Sequence, residues 1–479
     1  MRRIVLSAGL MLSLTGCGSN SQPSEPSAGI PLSINNPSSS APSDVAKSPA
    51  QDGASLSGSE ATRELHAEAV KQLIQKASAA VTARKNSIAI ESLSQAIGIQ
   101  PDDANLFRMR ADVYVLQGEM ANARADFSTA VRLNPKNADL YNFRGYFLMS
   151  QGLMAEANQD FETAVSLNPQ MAAAWNNKGL VALAQNDHKS ALLDFTKAIE
   201  VDSTYVDGWN NRGFARMKLE QYEDALADVK QAIQLDDKYP TAWNNCGLIC
   251  LKMEKFDEAE KAFTRLIELE PMDSRWLSHR YAALTKLGRF EDAQKDAQQV
   301  EWLTELNELS RDAAANARKP EAWIRRAQHL MNGQQYGAAI QDYTRAILVS
   351  PGNCLALAGR AEAWMKTGDM KKAMADSEEA LVSNGGQDTL LGRNAYSVRG
   401  DVWFAMENYD QAIEDFEAAR RFDDRVAEAY ELRAAMLQEA GETANAQADR
   451  AKAREIRDAL AGQLKPETQE AAVPFPDEQ

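Results

Sequence analysis

This chain of 479 residues holds only 16 Pro and 26 Gly, many of them within its first 60 residues. The remainder forms long stretches rich in Ala, Leu, Glu and Lys without β-branched alternation, which excludes a sheet-built body and favours helix. Positive charge is also short: 52 Lys and Arg stand against 68 Asp and Glu, for a net charge of −16. Loss of Arg2 and Arg3 with a leader would deepen it. No Lys/Arg cluster is interleaved with aromatics, so the sequence carries no footprint for nucleic acid, and its surface repels anionic polymers and lipids. The four His, at positions 66, 188, 279 and 329, lack metal-ligand spacing. No glycine loop cradles a phosphate and no nucleophile elbow occurs. The expectation is therefore a non-enzyme without catalytic residue, metal or cofactor. Cys246 and Cys250, at i and i+4, have no further ligand near them in sequence and read as buried thiols.

Long apolar runs are missing as well. The one at the N-terminus, Ile4 to Leu14 in MRRIVLSAGLMLSLTGC, is too short to span a bilayer and follows a basic start, as in a secretory signal. Its end, Leu14-Thr15-Gly16-Cys17, resembles the lipobox of bacterial lipoproteins. The resemblance implies a signal peptide over 1–17, removed to leave an acylated Cys17 that holds the chain on a membrane through lipid alone. Gly18 and Ser19 supply no Asp resembling an inner-membrane retention signal, which favours the outer membrane facing the periplasm, with the cell surface as the alternative. Residues 18–60 are Ser, Pro, Asn, Gly and Ala with almost no large apolar side chain, a disordered tether about 35–40 Å end to end.

What the sequence has in abundance is repetition at 34 residues. Trp-Asn-Asn recurs at 175–177, 209–211 and 243–245, each followed two residues later by Gly. With Ala104 as place 1, Phe107 is place 4, Ala111 place 8, Tyr114 place 11, Ala123 place 20, Phe127 place 24 and Ala130 place 27; Pro135 closes the unit. The next copy gives Tyr141, Gly145, Leu148, Ala157, Phe161, Ala164 and Pro169. Places 4, 8 and 11 make one helical stripe and 20, 24 and 27 another, so each unit is a pair of short helices. Small residues at 8 and 20 let the two backbones approach, and the ring at place 4 is expected to be a core side chain. This pattern resembles the tetratricopeptide repeat (TPR) family.

The resemblance implies an all-α, right-handed α-solenoid of about eleven helix-turn-helix repeats in two lobes. Repeats 1–7 are expected over 61–303, a helical extension over 304–319, repeats 8–11 over 320–457, and an acidic tail over 458–479. Nine repeats carry a basic residue at place 7 and Asp at place 23. In the repeat beginning at Pro240 both are missing together, as Cys246 and Ala262, which predicts an ion pair within the repeat.

Places 5, 9 and 12 form a second stripe that in related repeat proteins lines the concave wall. Here place 5 holds Asn142, Asn176, Asn210 and Asn244, and place 6 adds Asn177, Asn211 and Asn245. Places 9 and 12 include Tyr146, Phe214, Met149 and Met217. The amides are candidates to pair with a peptide backbone and the apolar row to take side chains. The alternative is that the place-6 Asn links neighbouring helices and the apolar row packs between repeats. Lys and Arg are absent from the places where some family members clamp a C-terminal carboxylate. The expected function is a membrane-tethered scaffold that binds a protein or peptide segment and organises envelope complexes. An adaptor presenting substrates to an enzyme on another chain, or a spacer, is the alternative.

Overall fold

A computed structural model of the protein describes residues 58–383 and 389–463. Cys17, the tether before Gly58 and the chain beyond Gln463 lie outside the described residues. Every regular element described is a helix, and the helices come in pairs. Repeats 1 to 4 are α1 (Gly58–Thr82) with α2 (Asn86–Ile99), α3 (Ala104–Gln117) with α4 (Met120–Leu133), α5 (Ala138–Ser150) with α6 (Met154–Leu167), and α7 (Ala172–Ala184) with α8 (His188–Val201). Repeats 5 to 7 are α9 (Val206–Lys218) with α10 (Tyr222–Leu235), α11 (Pro240–Lys252) with α12 (Phe256–Leu269), and α13 (Ser274–Lys286) with α14 (Phe290–Ala315). Repeats 8 and 9 are α15 (Pro320–Asn332) with α16 (Tyr336–Val349), and α17 (Cys354–Lys366) with α18 (Met370–Ser383). Repeats 10 and 11 are α19 (Leu390–Ala405) with α20 (Tyr409–Ala418), and α21 (Asp424–Glu439) with α22 (Thr443–Gln463).

Each pair is joined by the same turn. Place 15 takes a left-handed backbone in all eleven repeats, filled by Gly118, Gly152, Gly288, Gly368 and Gly441 but also by Arg84, Asn186, Glu220, Glu254, Gln334 and Glu407. The next N–H then reaches back to the place-11 carbonyl, as Leu153 N does to Leu148 O at 2.9 Å and Gln221 N to Arg216 O at 2.9 Å. This Schellman closure satisfies carbonyls that the first helix would otherwise leave unpaired. First helices start on side-chain caps where the sequence supplies Asp103, Asn137, Asp273 or Asn353, and on a first-turn Pro at Pro240 and Pro320.

The core within a pair is set by an alanine at place 20, which is fully buried or nearly so in every repeat from Ala89 to Ala446. Opposite it, a Cβ added at Gly247 would lie 2.5 Å from the Phe263 ring, so the place-24 aromatic occupies the space that place 8 leaves free. Phe161, Phe195, Phe263 and Phe416 at place 24 are fully buried on this account.

The chain divides into two compact lobes at Ala297/Gln298, within α14. In the second lobe the later part of α14 is core rather than connector. Leu306 packs with Ile324, Ala327 and Leu330, and Trp302 stacks on His329 with ring centres 5.1 Å apart. Of the helical extension expected over 304–319, residues up to Ala315 belong to α14, and Leu306 and Ala313 are buried. At the other end α22 continues six residues into the expected acidic tail, with Ile456 and Leu460 packed on the last core cluster.

A β-carbon in the left-handed region costs about 1–2 kcal/mol, partly offset by the greater freedom of Gly in the unfolded chain. Glu220→Gly and Glu254→Gly should each stabilise the array by about 0.5–1 kcal/mol in urea unfolding. No gain from either would show that the turn stores no strain.

Candidate protein-binding wall

First helices of neighbouring repeats in the first lobe pack directly on one another, α5 on α7, α7 on α9 and α9 on α11, whereas second helices pack chiefly on the first helices around them. The first helices therefore make the inner wall. Place 7 does not contribute charge to that wall. Arg144 Nε and Nη2 donate to the two carboxylate oxygens of Asp160 at 2.8 and 2.7 Å, and the same two-pronged bond joins Arg110 to Asp126, Arg280 to Asp296, Arg360 to Asp376, Arg399 to Asp415 and Arg433 to Asp449. Arg212 with Asp228, Arg326 with Asp342 and Lys178 with Asp194 complete nine pairs, all closed within one repeat.

Every one of these Asp is buried. The hydrogen bond that it donates to Asp160 holds the Arg144 guanidinium above its usual pKa, against the opposing effect of burial. The cation also lies over the place-4 ring, as Arg212 does over Trp209 at 4.8 Å and Arg326 over Trp323 at 5.0 Å. In the sixth repeat Cys246 and Ala262 fill the same two places, both buried, and the neighbouring Cys250 together with burial pushes the Cys246 thiol up.

The Trp rings are not the deep core they were expected to be. Trp175, Trp209 and Trp243 are half-buried, and their indole N–H groups donate to the carbonyls of Pro169, Ser203 and Asp237 at 2.9, 2.8 and 2.9 Å. Each ring thus ties the loop between repeats to the helix that follows it, always through the carbonyl six residues back whatever the residue there.

The amides require a larger correction. Asn142, Asn176, Asn210 and Asn244 at place 5 are at most 2% exposed, and Asn177, Asn211 and Asn245 at place 6 at most 1%. They form rungs between repeats. Asn177 Nδ2 donates to Asn142 Oδ1 at 3.0 Å, Asn211 Nδ2 to Asn176 Oδ1 at 2.9 Å, and Asn245 Nδ2 to Asn210 Oδ1 at 2.9 Å. Place 5 of one first helix faces place 6 of the next because those helices touch, so the amides fill the seam and not the open face. The ladder stops where His279 takes place 6 of the seventh repeat, and there Asn244 Oδ1 has no partner.

Of the apolar candidates, Met149, Phe214 and Met217 are buried at 7%, 8% and 9% exposure, while Tyr146 is half-buried, its phenol pKa raised by that burial. Half-buried Val115, Leu248 and Leu251 continue the same stripe at places 12, 9 and 12. The open part of the wall is this apolar strip.

Models of the tetratricopeptide repeat match residues 74–138, 120–165, 172–205, 216–280 and 324–389. The chain carries tetratricopeptide repeats. Together the matched TPR segments cover more than half of it, and the fold is that of a protein-interaction scaffold. Among curated proteins it is similar to the Hsp70-Hsp90 organizing protein of Triticum aestivum, 26% identical over 141 residues, which is 29% of this chain and 21% of that protein. The chain thus spans only about a fifth of that relative's length. Among solved structures, the pilF protein of Pseudomonas aeruginosa is 21% identical, with a TM-score of 0.40 over 44% of this chain and 97% of that one. PilW, titled a type IV pilus biogenesis factor, is 21% identical with a TM-score of 0.39 over 41% of this chain and 92% of that one.

Removing one side of a buried hydrogen bond strands its partner at a cost of about 1–3 kcal/mol. Asn177→Ala should lower TPR array stability by that amount, and a double-mutant cycle with Asn142→Ala should show coupling of about 0.5–1.5 kcal/mol. Unchanged unfolding in Asn177→Ala would return these amides to the open face.

Proposed function

We propose that this protein is an exported TPR scaffold, held on a membrane by lipid on Cys17, that takes a segment of a partner protein along the inner wall of its first lobe and organises envelope complexes. The observation that carries the reading is the strip of places 9 and 12. Tyr146, Leu248 and Leu251 stay partly open in a wall whose amides are buried in the seam between repeats and whose place-7 cations are paired within their repeats. Apolar surface that remains open while its polar neighbours are paired is suited to taking side chains of a bound segment. The corrected position of the Asn ladder moves recognition from the amides to this strip and gives the ladder the task of fixing the spacing between repeats.

The anchor rests on the sequence Leu14-Thr15-Gly16-Cys17 and the basic, apolar start before it. Nothing in the reading requires catalysis by this chain.

Crosslinking in intact cells followed by mass spectrometry should recover a defined partner set that shrinks at least fivefold with Leu248→Asp, a charge placed where apolar side chains dock. In the same cells Cys17→Ser should leave the membrane fraction. An unaltered partner set in folded Leu248→Asp protein removes the wall from the account, and Cys17→Ser protein that still sediments with membranes after a salt wash removes the lipid anchor.

A further inference from the structure

Many lysines of this acidic chain are neutralised where they stand, as Lys178 is by Asp194 and Lys230 by Glu258. Others are not, and three of these form a row. Lys218, Lys252 and Lys286 occupy place 13 of repeats 5, 6 and 7, in the last turns of α9, α11 and α13. All three are exposed, and among the described residues none has an ion pair or hydrogen bond. Place 13 is four residues beyond place 9 and therefore on the same helix face. Lys218 shows this directly, with Nζ 5.3 Å from the centre of the Phe214 ring. Beside the row runs the apolar strip, in which Leu248 and Leu251 are half-exposed and Phe214 and Met217 buried beneath.

A lysine in the last turn also interacts favourably with the helix dipole. That interaction would favour a cation at the end of any first helix. Yet repeats 2, 3 and 4 carry Leu116, Ser150 and Ala184 at the same place, so within the first lobe the lysines fall in three successive repeats, with Lys366 of repeat 9 the one other lysine at this place. The helix end alone does not explain that concentration.

We propose that the lysine row and the apolar strip beside it bind an extended acidic segment of a partner protein, with Asp or Glu at about every third residue and apolar side chains between them. This rests on the inner wall being the binding surface. Neighbouring packed helices lie about 8–10 Å apart, and an extended chain advances about 3.3 Å per residue. Lys218 and Lys252, on the directly packed α9 and α11, therefore meet residues about three apart. The row sets three cations on a chain of net charge −16, with Glu220 and Glu254 two residues beyond Lys218 and Lys252, so its attraction acts over short range and weakens with salt. A nucleic acid also offers anions, but with one on every nucleotide it is repelled by the acidic body more strongly than a segment charged at every third residue. A flat bilayer does not reach the inner wall of a solenoid.

The test uses the purified full chain and three fluorescent probes: a C-amidated 12-residue peptide with Glu at every third position and Leu between, its Gln counterpart, and a 12-nucleotide single-stranded DNA. Fluorescence anisotropy should show the Glu peptide binding at least tenfold tighter than the Gln peptide at 50 mM salt, and losing most of that advantage at 200 mM. The triple variant Lys218→Gln, Lys252→Gln, Lys286→Gln should weaken the Glu peptide at least tenfold while its circular dichroism and melting stay in place. Equal binding of the two peptides, unchanged affinity in the folded triple variant, tighter binding of the DNA, or binding of no probe would each overturn the proposal. The wall itself is judged separately: Gln-peptide binding that is independent of the lysines but lost in Leu248→Asp would uphold the wall while discarding the row.

Discussion

The buried bond between the place-7 cation and the place-23 carboxylate is the constraint on which the rest of the array depends. It joins the two helices of a repeat at a fixed height and rotation, because a guanidinium fork meets both carboxylate oxygens in one geometry only. Once that register is set, place 8 comes opposite place 24 and place 20 alanine is sealed between the helices. The outer arm of the same Arg can then reach the preceding repeat, as Arg110 Nη1 does to Ser94 Oγ at 2.8 Å and Arg280 Nη1 to Thr264 Oγ1 at 3.1 Å. A buried ion pair is weak evidence for net stability, since an apolar pair of similar volume can serve as well. The sixth repeat is a natural instance. It keeps its helix pair with Cys246 and Ala262, having lost both charges and not one.

Much of this was legible in the sequence because a 34-residue period exposes correlations that a single domain hides. The helix pairs followed from the stripe at places 4, 8 and 11, and the ion pair from the joint absence of both members at Cys246 and Ala262. The amides were less legible. Place 5 lies on the stripe that lines the wall in related proteins, but whether a side chain there meets solvent or the next helix depends on the distance between first helices, which no spacing within one repeat reveals. The signal that would have found the ladder was the co-occurrence of Asn at place 5 of one repeat with Asn at place 6 of the next, as in Asn142 with Asn177. The Trp ring was overrated as core for a similar reason: its indole N–H needs an acceptor, and the loop carbonyl six residues back holds it at the boundary.

The division of polar groups gives the wall its character. Amides are spent on the seam, cations at place 7 on the partner helix, and indoles on the loops, so little remains on the inner face except the strip at places 9 and 12 and the cations beyond it. The second lobe differs. Its inner stripe carries Glu362 and Asp401 at place 9, and Asp401 accepts from Arg421 at 2.7 Å and lies 3.3 Å from Arg425. An apolar strip in one lobe and an ion-pair network in the other would give one chain two walls of different chemistry.

The claim that the place-7/23 bond sets the register, without itself being a large source of net stability, is tested most directly on Arg144 and Asp160, because Asp228 also accepts from Arg216. Urea unfolding of Arg144→Cys, Asp160→Ala and the double variant, which copies the sixth repeat, separates the alternatives. Arg144→Cys alone should cost about 3–5 kcal/mol by stranding a buried carboxylate, and the double variant should recover to within about 1 kcal/mol of the parent. Additive losses in the double variant, or a single variant that unfolds like the parent, would contradict the account.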